Sequence, residues 1–139
     1  MARRARAKES DKAIEERVRH AAEAAVDKKA FDIEILDVAR LTSIGDFFII
    51  CSTRSERQSQ AVADAVEERV RQEAGAKPIL VEGKTPGRWI LMDYGDFVVH
   101  VFTEDCRRYY GLERLWGDAP NLTSRFVSDE QNLSGQSSE

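Results

Sequence analysis

Residues 47–51 read FFIIC, five apolar side chains in succession. A strand points successive side chains to opposite faces, so an unbroken apolar run needs cover on both sides of its sheet. The chain must therefore supply layers above and below one central strand. Its 139 residues suffice for one core of ordinary domain size. Hydrophobic residues at 42% and charged residues at 33% fit a globular chain in water. No run of about 18 apolar residues is present to cross a bilayer, so no membrane partner is expected.

The covering layers show in the flanking periodicities. Ile14, Val18, Ala22, Ala25 and Val26 recur at three- and four-residue steps, which predicts an amphipathic helix from Asp11 to near Ala30. FDIEILDV (residues 31–38) switches to period two, with Phe31, Ile33 and Ile35 alternating against Asp32 and Glu34, as in a half-exposed strand. Ser55 and Gln58 form an S-x-x-Q capping box that opens a second helix. Its core stripe is Ala61, Val62, Ala65, Val66 and Val70, and it stops around Ala74, with Gly75 placed for a left-handed C-terminal turn. PILVE (residues 78–82) is a short strand, so residues 47–51 and 79–81 are expected to run parallel through a right-handed crossover.

After the loop GKTPGR (residues 83–88), WILMDYGDFVVHVF (residues 89–102) reads as a hairpin turning at Tyr94 and Gly95. Thr103 is a candidate N-cap with Glu104 and Asp105 in the first turn of a helix bearing Tyr109, Leu112, Leu115 and Trp116. The order helix, strand, strand, helix, strand, strand, strand, helix predicts a single α/β domain, a mixed five-stranded sheet with flanking helices. Residues 1–10 are expected to form a basic flexible arm, 11–117 the domain, and the serine-rich 118–139 a mostly disordered polar tail.

Formal net charge is −4, from 21 Lys and Arg against 25 Asp and Glu. Arg3, Arg4, Arg6 and Lys8 against Glu9 give the arm +3, which leaves −7 on the rest. So acidic a body repels phosphate backbones, and RNA contact is expected only at the periphery, through the arm. The plainer reading of that arm is a solubilising end. The opening MARRARAKES lacks the apolar centre of a secretory signal, so a cytoplasmic location is expected. Cys51 and Cys106 form no CxxC pair and no metal-ligand spacing with histidine, which predicts reduced thiols and no zinc.

A turn at Tyr94 and Gly95 places Trp89 opposite His100 and Asp93 opposite Asp96. One face then carries Trp89, Leu91, Asp93, Asp96, Val98, His100 and Phe102, and the other Ile90, Met92, Phe97, Val99 and Val101. The wholly apolar second face is expected to pack on helices, leaving an amphipathic patch on the first. Two readings of that patch stay open. Trp89 and His100 are satisfied core groups, or Trp89 is the rigid anchor of a protein contact.

Signals for catalysis are thin. GxGxxG, P-loop and HExxH motifs are absent, and Cys106, beside Arg107 and Arg108, has no base oriented toward it. TSIGDFF (residues 42–48) holds Ser43, Gly45 and Asp46 in a pattern like a nucleotidyl-transfer loop. Two-metal transfer needs converging carboxylates, and the D-x-D position after Asp46 is Phe48. Asp32, Glu34 or Asp93 would have to supply the second acid through the fold. No catalytic residue, metal or cofactor is assigned.

DVARLTSIGDFFIICSTRSERQSQAVAD (residues 37–64), VEGKTPGRWILMDYGDFVVHVF (residues 81–102) and RRYYGLERLW (residues 107–116) strongly resemble the bacterial ribosomal silencing factors, also called Iojap-related proteins. The resemblance runs from about Ile14 to Trp116. It implies a nucleotidyltransferase-like α/β fold without known catalysis. Proteins similar to this one bind large-subunit ribosomal protein fourteen at the inter-subunit face and sterically block the small subunit, damping translation when nutrients are scarce. A role in large-subunit maturation is also ascribed to relatives.

Carried over by motif, the candidate contact surface is Trp89, Asp93 and His100, extended by Thr42, Ser43 and Asp46 and by Arg108 and Tyr109. Trp89 would be the buried anchor, Asp93 and Asp46 would pair with lysine or arginine, and His100 and Tyr109 would orient the anchor or hydrogen-bond across the rim. Leu112, Leu115 and Trp116 are expected in the helix core. Two alternatives stand beside this reading: a transfer enzyme built on Asp46, and an RNA-binding assembly factor working through the arm. Without its target, the exposed aromatic patch is expected to support a homodimer.

Overall fold

The computed structural model of the chain describes residues 7–134. The elements are α1 (Ala7–Asp27), β1 (Phe31–Asp37), β2 (Phe47–Thr53), α2 (Glu56–Ala74), β3 (Leu80–Glu82), β4 (Trp89–Asp93), β5 (Phe97–Thr103), α3 (Glu104–Tyr110), α4 (Leu112–Leu115) and α5 (Thr123–Phe126). The five strands form one mixed sheet in the order β1-β2-β5-β4-β3. Strands β2 and β5 pair in parallel and the other pairs are antiparallel. No helix among the described residues is long and apolar enough to cross a membrane.

All seven residues of β2 are buried, as its apolar run requires. On one face Ile33, Ile35, Ile49, Cys51, Ile90, Met92, Phe97, Val99 and Val101 pack with Ile14, Val18, Ala22 and Ala25 of α1 and Val62, Val66 and Val70 of α2. The other face holds Leu36, Phe48, Ile50, Val98 and Phe102 beneath Leu112, Trp116 and Ala119. Helix α2 starts as expected, Ser55 Oγ accepting from the Gln58 amide at 3.0 Å. The Gln58 side chain departs from the reciprocal box. Its Oε1 accepts from the Arg54 amide at 2.7 Å and its Nε2 donates to the Lys28 carbonyl at 3.0 Å, which ties α2 to the end of α1.

Four details differ from the sequence reading. Strand β3 runs in the same sense as β2, but β5 and β4 are inserted between them, so the crossover ends on the sheet's far edge. The hairpin turns one residue later than expected. The Tyr94 amide donates to the Phe97 carbonyl at 2.9 Å, so Trp89 lies opposite Phe102 and Leu91 opposite His100. Side chains alternate with period two, and this two-residue change of register leaves every residue on its expected face. Third, the last helix breaks at Gly111, whose φ of 55° lies in the left-handed region, so α3 and α4 are separate.

The fourth concerns the ends of the domain. Residues 7–10 open α1, and the rest of the expected arm lies outside the described residues. Residues 118–134, expected as mostly disordered tail, fold back along β1. The Asp37 amide donates to the Pro120 carbonyl at 2.9 Å, Leu122 to the Ile35 carbonyl at 2.7 Å, and Asp32 to the Leu133 carbonyl at 2.7 Å. Thr123 Oγ1 accepts from the Ile35 amide, and the Asn132 amide group bonds both the amide and the carbonyl of Ile33. These contacts satisfy an edge that would otherwise invite foreign strands. Phe126 and Val127 complete the strap by entering the α1-side core.

Phe126 is 7% exposed, so Phe126→Ala is expected to lower the unfolding free energy by about 3 kcal/mol, read from urea denaturation. An unchanged midpoint would mean that the strap does not hold to the sheet.

Candidate functional site

Register places side chains of the α3–α4 face in rows across the strands. One row is Leu36, Phe48, Val98, Asp93 and Leu80; the next is Glu34, Ile50, His100, Leu91 and Glu82; a third is Ser52, Phe102 and Trp89. The segment carrying Leu112, Trp116 and Ala119 covers the β1, β2 and β5 columns. The β4 and β3 columns are left partly open. Trp89, Leu91 and Asp93 are half-buried, Leu80 is 45% exposed, and Glu82 is exposed. An apolar strip of Trp89, Leu91 and Leu80 thus emerges between two carboxylates.

Trp89 is held from several sides. Its ring stacks on Phe102 with centroids 4.8 Å apart and meets Tyr110 at 4.9 Å. The indole N–H donates to His100 Nδ1 at 3.2 Å. Its one polar atom is therefore engaged inside the molecule, and what remains for a partner is apolar ring. His100 is 4% exposed, between Phe48 at 4.9 Å and Trp89, and acts on the surface only through Trp89. Accepting the indole proton requires an unprotonated Nδ1, and burial lowers the imidazole pKa to about 4.

In the unfolded chain this histidine takes up its proton near pH 6.5, whereas in the folded chain it resists until about pH 4. Its contribution is therefore complete above about pH 6.5 and is lost as pH falls toward 4. Between those limits the native chain is expected to lose about 3 kcal/mol that His100→Asn, which keeps an acceptor but does not titrate, retains. Urea denaturation of both proteins at several pH values measures the difference, and parallel profiles would refute it.

The remaining candidates divide into two groups. Thr42, Ser43 and Asp46 lie in the β1–β2 loop at the hairpin end, where the Asp46 amide donates to the Asp96 carbonyl at 2.7 Å. Asp93 is at that end too, four residues along β4 from Trp89, or about 13 Å. Arg108 and Tyr109 are exposed at the other end. Arg108 pairs with Asp105 at 2.9 Å, and Tyr109, 82% exposed, touches Tyr110 rather than Trp89. Tyr110 is the tyrosine against the tryptophan, a role that periodicity on one continuous helix could not assign. Leu115, expected in the core, is 73% exposed, whereas Leu112 and Trp116 pack on the sheet: after the break at Gly111 the segment lies with those two side chains inward and Leu115 outward.

Gly83 holds the open columns together. Its φ is +83°, and a Cβ there would lie 2.0 Å from the Trp89 carbonyl oxygen, so only glycine lets the β3–β4 connection pass. Burial raises the thiol pKa of Cys106 against the opposing pull of Arg88, the reverse of what a thiolate nucleophile needs. Among the described residues no group of three or more His, Cys, Asp or Glu is placed to hold a metal ion.

Comparison with known proteins adds an independent line. The family described as "Ribosomal silencing factor during starvation" matches residues 11–139. The ribosomal silencing factor RsfS of Halalkalibacterium halodurans is 48% identical over 96 residues, covering 69% of this chain and 81% of that protein. Its namesake in Bacillus subtilis is 46% identical over 100 residues, covering 72% and 84%. The chloroplastic protein Iojap of Zea mays is 37% identical over 113 residues, 79% of this chain but 47% of that longer protein. A crystal structure of a Chromobacterium violaceum protein matches with a TM-score of 0.72 at 41% identity, covering 75% of this chain and 86% of that one. The family match, these relatives and the shared fold of the crystal structure agree: the chain belongs to the ribosomal silencing factor family.

Proposed function

We propose that this chain binds the large ribosomal subunit through ribosomal protein fourteen and, by occupying that surface, blocks the small subunit from joining. The reading belongs to nutrient limitation, the condition named in the family's description. It requires no bond-making step from the protein; the work is steric.

The observation that carries it is Trp89, a half-exposed indole fixed by Phe102, Tyr110 and His100. A ring already held in one orientation loses little entropy when a partner covers it. Around it Leu91 and Leu80 add apolar area, while Glu82 and Asp93 make no ion pair among the described residues and can take lysine or arginine, Asp93 with its second oxygen since Oδ1 accepts from the Gly95 amide at 2.8 Å. A basic ribosomal protein is the complementary partner, and the net charge of −4 favours its approach.

Sedimentation of the protein with purified large subunits tests the binding, and light scattering of subunit association tests the block. Trp89→Ala is expected to weaken binding about thirtyfold, equivalent to about 2 kcal/mol. Tyr110→Ala, at a residue 52% exposed, is expected to cost about fivefold with thermal stability nearly unchanged. Undiminished binding by both variants, or binding without any effect on subunit joining, would overturn the proposal.

A further inference from the structure

Resting on that docking reading, we propose that β3 is a receptor strand: an extended segment of the basic partner protein adds to its free edge and sets lysine or arginine against Glu82. The two edges of the sheet are treated in opposite ways. On β1, residues 120–133 bond to the backbone of Asp32, Ile33, Ile35 and Asp37 and close the edge. On β3 no hydrogen bond reaches Leu80, Val81 or Glu82 from beyond β4 among the described residues. A free edge is a template for another strand, and folded chains commonly blunt it with lysine, proline or a covering segment. Strand β3 reads LVE, with no lysine or proline within it; its three-residue length and the flanking Pro78 and Lys84 limit pairing to a short segment, and Glu82 favours one that brings a cation.

The side chains point to the same use. Ile79 is 73% exposed and Leu80 45%, two large apolar groups side by side on the open edge. Leu80 lies opposite Asp93 and Glu82 opposite Leu91, so a strand added beyond β3 would continue the rows of the Trp89 face. Backbone pairing would supply affinity and alternate side chains would supply selectivity, as in other strand-addition complexes. Charge selects the occupant. Glu82 and Asp93 are without ion pairs among the described residues, and neighbouring Lys84 is already held by Asp64 at 2.5 Å. A second copy of this acidic chain would bring like charges to the same rows, whereas a basic segment neutralises them.

The test uses the full chain bound to purified large ribosomal subunits, followed by hydrogen–deuterium exchange across residues 78–84. Protection there is expected to rise about tenfold or more on binding. Leu80→Lys and Ile79→Lys, both at exposed edge positions, are expected to weaken binding about tenfold each. Leu115→Lys, at a residue 73% exposed on α4, is expected to change it less than about twofold. Binding that depends on Trp89 but leaves residues 78–84 unprotected would overturn strand addition and leave the docking reading intact. Absence of any binding would remove both. Protection that grows with concentration of the chain alone would identify a second copy as the occupant and overturn the basic partner.

Discussion

Double-sided burial of β2 governs the rest of the molecule. Seven successive buried residues cannot be covered by helices on one face alone, so the chain must return across the other face after β5. That return is made by Leu112, Trp116 and Ala119, which are enough to roof three strand columns and no more. The site is what remains uncovered. Trp89 and Leu91 belong to the same face as Val98 and Phe102, and their partial exposure follows from the width of the roof rather than from their own chemistry.

Arg107 brackets this roof to the sheet. It is 7% exposed, and its guanidinium donates to the Asp32 carbonyl at 2.5 Å, to Ser52 Oγ at 2.9 Å and to Glu113 at 3.0 Å, with Glu34 at 3.6 Å. One cation thus joins the ends of β1 and β2 to the first turn of α4. A buried charge is tolerated only when its donors are used, and here they are spread over carbonyl, hydroxyl and carboxylate. Burial raises the Glu34 pKa, Arg107 lowers it, and Glu113 and Asp32 raise it again. The net effect leaves the Glu34 pKa above its ordinary value. Removing Arg107 would leave two carboxylates facing each other beneath the roof.

Local pattern was a good guide wherever one element's surroundings are set by its own neighbours. The capping serine of α2, the two faces of the β4–β5 hairpin and the burial of β2 were all legible, because period and cap chemistry are properties of a few adjacent residues. The strap was not. Residues 118–134 are mostly polar because they bond to an edge through backbone, threonine and asparagine; Phe126 and Val127 enter the core, and Ala119 and Leu122 pack against it. By composition such a segment is indistinguishable from a disordered one. The break at Gly111 was missed for a related reason. Glycine is tolerated within helices, and its left-handed φ is selected here by the need to turn onto the sheet.

For the site, alternation identified Trp89, Asp93 and His100 as members of one sheet face, and resemblance to a known family implied a use that the proposed function takes up. Neither separates contact residue from support. Sequence alone determined periods, caps, charge and the membership of each face, since these depend on spacing along the chain. Tertiary structure decided that His100 stands behind Trp89, that Tyr110 and not Tyr109 touches the indole, and that among the described residues β1 is closed while β3 is open. Those outcomes depend on which distant segment covers which column, and burial of a side chain is a property of its neighbours in space.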